Sequence, residues 1–281
     1  MRIARRVRWA VLLAGVFLAV VAPCVSAQNP DTLMPEESAK KAHELLDEMI
    51  AKLGGPAYLS VRDSVCNARL SQFGNNGDLS GYEVITDFWK LPDKNRTEYF
   101  KKKNIIELFN GNQGWTMDRG GVQEQPESAV QDFQEQIKGD LDNLLRFRLN
   151  EEGMTFRFGG SDVVDLRQVD WVEIVDRDRR TFRIAIDRLL HLPVRCLVIT
   201  RNPATRERTQ EVTFYSNFHP QDGVETPFQL ARERDGRKIF QAFFSDCKYN
   251  SGLTDDMFTR ASLEKRFSEI GKKDKKKKDK S

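Results

Sequence analysis

Short segments in which apolar and polar residues alternate recur along most of this chain, and they constrain its fold more than any other feature. Between Thr181 and Asp187, for example, Phe182, Ile184 and Ile186 alternate with other residues. Successive side chains of a β-strand point to opposite faces, so such a segment buries one face. Gly, Asn, Asp and Pro separate the segments, and Asn-Gly takes the positive φ angles of a tight hairpin turn. The pattern predicts an antiparallel meander and a mainly β (α+β) fold.

The alternation predicts eleven or twelve strands, and the polar segment Gly120–Glu127 is predicted to be a loop. The candidate strands are Cys66–Leu70, Tyr82–Lys90, Arg96–Phe100, Ile105–Phe109, Trp115–Met117, Met154–Phe158, Val169–Val175, Thr181–Asp187, Val194–Thr200, Glu211–Phe218, Thr226–Arg234 and Lys238–Tyr249.

Two segments instead place apolar residues at three- and four-residue spacing, which is typical of amphipathic helices. The first opens at Pro35 and is stopped by Gly54-Gly55-Pro56. The second runs from Val130 to Leu149, and Gly139 is expected to split it. Two helices cannot cover a dozen strands completely, so part of an apolar sheet face should stay uncovered.

The N-terminal segment has the parts of a secretory signal peptide, predicted at residues 1–27. Four arginines precede an apolar run of 14 residues, and Val25-Ser26-Ala27 supplies small side chains for cleavage. A run of that length is shorter than the ~20 residues that a spanning helix needs. We therefore expect export to the periplasm by a cleavable signal. An uncleaved membrane anchor and lipidation of Cys24, which follows the unfavourable Pro23, are the alternatives.

Residues 28–260 are predicted to form one domain, because no linker or repeat divides them. A Lys-rich tail at residues 261–281 is predicted to be disordered. The formal net charge is +3, but four Arg at the start and seven Lys with two Asp from Gly271 onward leave the body near −6. This balance does not favour a nucleic-acid face. We expect a monomer with no nucleic-acid partner.

Three cysteines remain after the predicted cleavage: Cys66, Cys196 and Cys247. Export permits a disulfide, but three cysteines allow three pairings and leave at least one free thiol. We interpret them mainly as small buried apolar side chains, with one disulfide as the alternative.

The chain lacks the sequence motifs of common catalytic centres. It contains no G-x-S-x-G elbow, phosphate loop or H-E-x-x-H motif. His191 and His219 lie in Pro-containing turns without metal-ligand spacing to another His or to Cys. We therefore expect no enzyme activity, no metal and no cofactor. For an exported hydrolase, the sequence shows no set of catalytic residues.

Two short motifs in the first half of the chain resemble a known family. Trp89-Lys90, Pro92 and Arg96 close one predicted strand and open the next, and Asn110-Gly111 is followed by Trp115. The order and spacing are similar to those of the outer-membrane lipoprotein-sorting (LolA/LolB-like) superfamily. Carriers of that family often have Arg before the proline, whereas this chain has Leu91. A D-x-x-F element at Asp255–Phe258 extends the resemblance to roughly residues 36–260.

The resemblance implies an incomplete, strongly curved antiparallel barrel whose mouth is covered by helices. In that family the barrel encloses an apolar cavity for acyl chains, so this chain would be a periplasmic carrier of lipids or lipoproteins that works without covalent chemistry. A membrane donor complex and an outer-membrane acceptor are the partners that it implies. The side chains that we predict to line the cavity are large and apolar: Trp89, Leu108, Trp115, Phe156, Trp171, Phe182, Ile184, Phe214 and Phe243.

A regulatory sensor on the same fold is the alternative function, because the chain also resembles RseB-type envelope-stress proteins. Those proteins carry a second small domain after the half-barrel. Here about twenty residues follow Phe258, which favours the carrier. A third possibility is structural, in which the aromatic residues only form a closed core.

Overall fold

The computed structural model describes residues 32–100, 105–202 and 205–278. The predicted signal peptide lies outside the described residues. The described chain forms one thirteen-stranded antiparallel sheet, which is not closed into a barrel, and five helices. The predicted fold class is confirmed.

The strands follow the chain in two runs. They are β1 (Asp63–Phe73), β2 (Leu79–Lys90), β3 (Lys94–Tyr99), β4 (Ile105–Asn110), β5 (Gln113–Asp118), β6 (Gly121–Glu124), β7 (Thr155–Val164), β8 (Arg167–Val175), β9 (Thr181–Asp187), β10 (Pro193–Arg201), β11 (Arg208–Gln221), β12 (Val224–Arg234) and β13 (Arg237–Tyr249).

The helices lie before, between and after these two runs. They are α1 (Pro35–Leu53), α2 (Pro56–Leu59), α3 (Glu127–Gly139), α4 (Leu141–Asn143), which continues as a π-helical turn (Leu144–Arg148), and α5 (Arg260–Lys278). A 3-10 turn, Asp255–Phe258, precedes α5. Within the described residues no helix combines the length and apolar character needed to cross a membrane.

The sheet is two meanders joined at one pair of strands. Its order is β6-β5-β4-β3-β2-β1-β13-β12-β11-β10-β9-β8-β7, so the pairing of β1 with β13 unites the first six strands with the last seven. The edge strands are β6 and β7, which are consecutive in the chain. The segment between them, α3 with α4 and the π-helical turn, therefore has to pass from one edge of the curved sheet to the other.

Each of the twelve predicted strands overlaps an observed strand, and the thirteenth was missed. It is β6, inside the segment that we predicted as a loop. Its residues are polar except Val122, which packs against an apolar cluster under α5. Strand β7 also runs six residues beyond its predicted end, because a register irregularity between Phe158 and Ser161 interrupts the alternation.

The two predicted helices are confirmed. Helix α1 has the predicted bounds, and Ala42, Leu46 and Met49 on its buried face pack into the main core. It ends at Gly54, whose φ of 130° and close approach to the Gly223 carbonyl leave no room for a Cβ. The second helix ends at Gly139 as α3 and resumes as α4.

Up to Lys278, where the described residues end, the structure corrects our prediction of a disordered tail at residues 261–281. Helix α5 begins at Arg260, and Leu263 on it is fully buried. Leu263 and Ile270 pack on the convex side of the first meander, over Leu108 and Trp115. These two side chains lie seven residues apart on one helix face, so burial of that face stabilises a helix in a sequence that is otherwise highly charged.

The cysteines also differ from our main interpretation. Cys66 on β1 and Cys247 on β13 form a disulfide, which was the alternative, and Cys196 is a buried free thiol as predicted. Burial raises the pKa of the Cys196 thiol to about 12, so this side chain remains a neutral apolar group. The disulfide covalently joins the two meanders at the pair of strands that unites them.

Replacing Cys66 and Cys247 together by Ser should lower the free energy of unfolding by about 2–5 kcal/mol, because the disulfide closes a long loop in the unfolded chain. The sequence separation of the two cysteines is 181 residues. Urea unfolding with and without reductant measures this effect. The wild type and a Cys196→Ala control should both lose stability in reductant. A double variant as stable as the oxidised wild type would contradict the expectation.

Candidate functional site

The concave face of the sheet carries a row of apolar side chains across its central strands. Leu70 on β1 lies opposite Ala242 on β13, which lies opposite Leu230 on β12, which lies opposite Tyr215 on β11. Directly paired residues of antiparallel strands point to the same face. Tyr215 packs against the main core under the helices, which identifies this face as the concave one.

Neighbouring rows extend the same surface. Phe244 pairs with Ala68, which pairs with Ile85, and Phe240 lies further along β13 on the same face. We call the set the central apolar strip. Its half-buried members are Leu70, Leu230, Phe240 and Phe244. Its buried members are Ala68, Ile85 and Ala242.

The helices cover the concave face unevenly. Helix α1 packs on β7, β8 and part of β12, and the core beneath the helices includes Tyr58, Leu144, Ile174 and Phe182. None of the half-buried members of the central apolar strip belongs to that core. The strip therefore stays partly accessible at the centre of the sheet, as an open apolar surface.

Helix α3 crosses the concave side and contacts both meanders. Near the first meander, Phe133 stacks on Phe109, with ring centroids 4.5 Å apart, and on Trp89 at 6.0 Å. Near the second meander, Arg180 donates to Glu135 over 2.5 Å. A Cβ at Gly139 would lie 3.6 Å from the Val198 side chain. Helix α3 thus spans the opening as a strap.

A buried carboxylate fixes the far end of this strap. Both oxygens of Asp176 are engaged, because Arg148 and Arg180 each donate to one of them over 3.0 Å and the Arg180 backbone N–H donates to the other over 2.8 Å. Hydrogen bonds from Arg148 and from the Arg180 backbone, with the charge of both arginines, hold the pKa of Asp176 below its ordinary value although burial alone would raise it. The π-helical turn and the β8–β9 turn are therefore joined through one anion.

A second acid lies where α3 meets α4. Asp140 accepts a hydrogen bond from the Asn143 backbone N–H over 2.9 Å and so caps α4. Burial, and next the nearby charge of Asp142, raise the pKa of Asp140 to about 6. Asp142 in turn accepts from the Tyr58 hydroxyl over 2.6 Å. This corner is the polar boundary of the concave face.

A third acid explains part of the sequence motif. Asp87 on β2 accepts hydrogen bonds from the Trp89 indole over 2.6 Å, and from Asn95 and Thr97 over 2.8 Å each. Burial raises the pKa of Asp87, although the three hydrogen bonds act in the opposite direction. The Trp89 ring is therefore held at a fixed orientation beneath Phe133 of α3.

The nine predicted wall residues divide between the two faces. Four face the concave side, and of these Phe182 and Ile184 are fully buried in the core, Phe156 packs against it and Trp89 lies under α3. The other five face the convex side. Leu108 and Trp115 lie under α5, Trp171 and Phe214 lie beneath Arg183 and Arg195, and Phe243 is 42% exposed.

Strand register is the physical reason for this division. Phe214 pairs with Arg195 and Ala231, whereas its neighbours Thr213 and Tyr215 face the concave side. The alternation of apolar residues defines two faces but not which of them is concave. Sequence reasoning therefore missed Leu70, Leu230, Phe240 and Phe244, all inside predicted strands. The amphipathic sequence of α5 is the feature that could have predicted a helix over the convex face.

Two pockets lie near the edges of the sheet. One, of about 580 Å³, lies between α3 and the β5–β6 edge and is lined mainly by Gln, Asn and Glu side chains with Trp115. The other, of about 380 Å³, lies between the start of α1 and β7–β8 and includes Phe156. Among the residues that the structure describes, no cluster of three or more His, Cys, Asp or Glu could hold a metal ion.

No protein-family model and no curated protein matches the sequence. Solved structures match over 80% of this chain and 99% of their own. A DUF1329 family protein from Desulfovibrio piger has 15% identity and a TM-score of 0.57. A LolA superfamily protein from Nitrosomonas europaea has 15% identity and a TM-score of 0.50. An outer membrane lipoprotein-sorting protein domain from Vibrio parahaemolyticus has 13% identity and a TM-score of 0.52. The chain has a LolA-like fold.

Replacing Asp140 by Asn should stabilise the protein in a pH-dependent way. The folded-state pKa of about 6 lies above the ordinary value of 3.8, so the wild type loses stability as pH rises from about 4 through 6. The loss reaches at most about 3 kcal/mol. Asn keeps the cap on α4 and cannot ionise. Urea unfolding at pH 4 and pH 7 checks this.

The stability advantage of Asp140→Asn over the wild type should therefore grow between these pH values. An Asp178→Asn control, at an exposed position, should show no such growth. An advantage of Asp140→Asn that is constant with pH would contradict the prediction.

Proposed function

We propose that the concave face binds acyl chains of lipids or lipoproteins and carries them in shielded form, without covalent chemistry. The observation that carries this proposal is the central apolar strip. Large apolar side chains on three adjacent central strands are half-buried by their own protein. A hydrocarbon chain lying on the strip would complete their burial.

The energetics of such a carrier follow from the apolar surface alone. Burying one methylene group of the ligand contributes about 0.8 kcal/mol to the free energy of binding. Part of the total for the acyl chain offsets the conformational and translational freedom that the ligand loses on binding. Moving an acyl chain from one apolar protein surface to another changes the free energy little, because the acyl chain stays out of water throughout. The protein then needs a surface, a movable cover and a partner surface, and no catalytic group.

Helix α3 is suited to be the cover. It crosses the concave side between the two meanders, and two ring stacks of Phe133 and one ion pair of Glu135 anchor it near the middle of the helix. The side chain of Glu135 in that ion pair is 56% exposed. Its partner Arg180 is 5% exposed and also pairs with Asp176, so the Glu135 contact can open without leaving that arginine unpaired.

The shared fold supports the same function. The similarity to an outer membrane lipoprotein-sorting protein domain favours lipoproteins or related lipids as cargo, a donor complex in one membrane and an acceptor in another. The N-terminal sequence favours export to the periplasm, where such a carrier would act as a monomer. Of the predicted wall residues, Trp89 and Phe156 lie at the margins of the proposed binding surface.

Replacing Phe244 by Asp should weaken acyl-chain binding by at least about tenfold, because a carboxylate beneath a hydrocarbon chain loses water without gaining a partner. The matched control is Phe243→Asp. The neighbouring Phe243 faces the convex side and is exposed. Displacement of a fluorescent fatty-acid probe measures both affinities, and thermal unfolding shows that both variants fold.

The wild type and the Phe243 variant should bind the probe equally well. Equal binding by all three proteins would place the acyl chain away from the central apolar strip. Absence of probe binding by the wild type, together with no lipid in a solvent extract of the purified protein by mass spectrometry, would remove the proposed function itself.

A further inference from the structure

One cation lies beside the central apolar strip on the concave face. Arg232 on β12 pairs with Thr213 on β11 and with Phe240 on β13, one row along from Leu230. The side chain is half-buried. Two residues along a strand correspond to about 7 Å, so Arg232 lies within a few methylene groups of the apolar surface.

The guanidinium group of Arg232 is incompletely partnered. Its Nε donates to the Thr213 hydroxyl over 3.3 Å, and its central carbon lies 5.1 Å above the centroid of the Phe240 ring. Among the described residues, no carboxylate oxygen lies within 4 Å of it, and neither terminal nitrogen has a hydrogen-bond acceptor. In contrast, Arg148 and Arg180 each reach a carboxylate over 3.0 Å.

Two sets of polar groups lie near Arg232: the Glu211–Arg234 ion pair one row along on the same face, and the helical corner. The charges of Arg232 and Asp140 influence each other, and the Cys196 thiol and the Tyr215 hydroxyl lie within the same electrostatic range. Asp140 does not reach ion-pair distance of the guanidinium. The concave face therefore runs from apolar side chains at the strip to polar groups at the corner, with Arg232 between the two.

We propose that Arg232 binds the anionic group of the cargo, so that the concave face selects amphiphiles with a carboxylate or a phosphate head. This inference rests on the proposed acyl-chain binding and adds the head-group class. A half-buried guanidinium without an ion-pair contact has unused hydrogen-bond donors, and its planar fork matches carboxylate and phosphate oxygens. The contact with the Phe240 ring and the hydrogen bond to Thr213 hold the side chain and leave both terminal nitrogens for the ligand.

The test compares ligands that share one tail and differ in head group: dodecanoate, dodecyl phosphate and dodecanol. Wild-type protein at pH 8 should bind the two anions about tenfold or more tightly than the alcohol. Arg232→Gln keeps a polar side chain without the charge and should bind all three with the affinity of dodecanol. The control Arg69→Gln, at an exposed position on the convex face, should retain the preference.

A second measurement needs only the wild type. With ¹⁵N-labelled arginine side chains, one Nε–H resonance, assigned through Arg232→Lys, should shift on addition of dodecanoate and not of dodecanol. This measurement tests whether Arg232 binds the anionic head group even if the Arg232→Gln variant fails to fold. A resonance that responds equally to both ligands would overturn the role of Arg232.

The outcomes separate this inference from the proposed function. Equal binding of all three ligands by the wild type, or an unchanged preference in Arg232→Gln, overturns the head-group inference while acyl-chain binding stands. Failure of all three to bind ends both proposals. Inorganic phosphate that competes as well as dodecyl phosphate would show a site for free anions and would overturn selection of an amphiphile.

Discussion

The pairing of β1 with β13 is the constraint on which the rest of this structure depends. It joins strands that are far apart in the chain, and the Cys66–Cys247 disulfide links them covalently. Once these strands are paired, β6 and β7 become the two edges of a single curved sheet. The chain runs directly from one edge to the other, and α3 makes this crossing on the concave side. The strap over the proposed binding surface is thus a consequence of strand order.

The same architecture makes the two faces unequal. Over the first meander the convex face is covered by α5, which packs on Leu108, Trp115 and neighbouring apolar side chains. The concave face has helices over its margins and a half-buried apolar centre. Apolar surface left in water forgoes about 25 cal/mol per Å², so a natural sequence that keeps Phe240 and Phe244 half-buried is consistent with a ligand that covers them.

Local sequence patterns predicted the strands and helices, whereas long-range geometry determined which face is concave and which cysteines pair. The alternation of apolar residues and the turn signals located twelve of thirteen strands and α1, because strand and helix periods depend only on neighbouring residues. They could not show which face is concave, since both faces carry aromatic residues, and five of nine predicted wall residues lie on the convex one. Nor could they choose among three cysteine pairings. Helix α5 was predictable in principle from the spacing of Leu263, Phe267 and Ile270.

The most direct test of the central claim is a crystal structure of the protein with an acyl chain that carries bromine at its end. Anomalous scattering locates the bromine without assumptions about the ligand's conformation. The account predicts a peak on the concave side, between α3 and the side chains of Leu70, Leu230 and Phe244. A peak at the convex face, or a bound chain that leaves this surface in water, would contradict it.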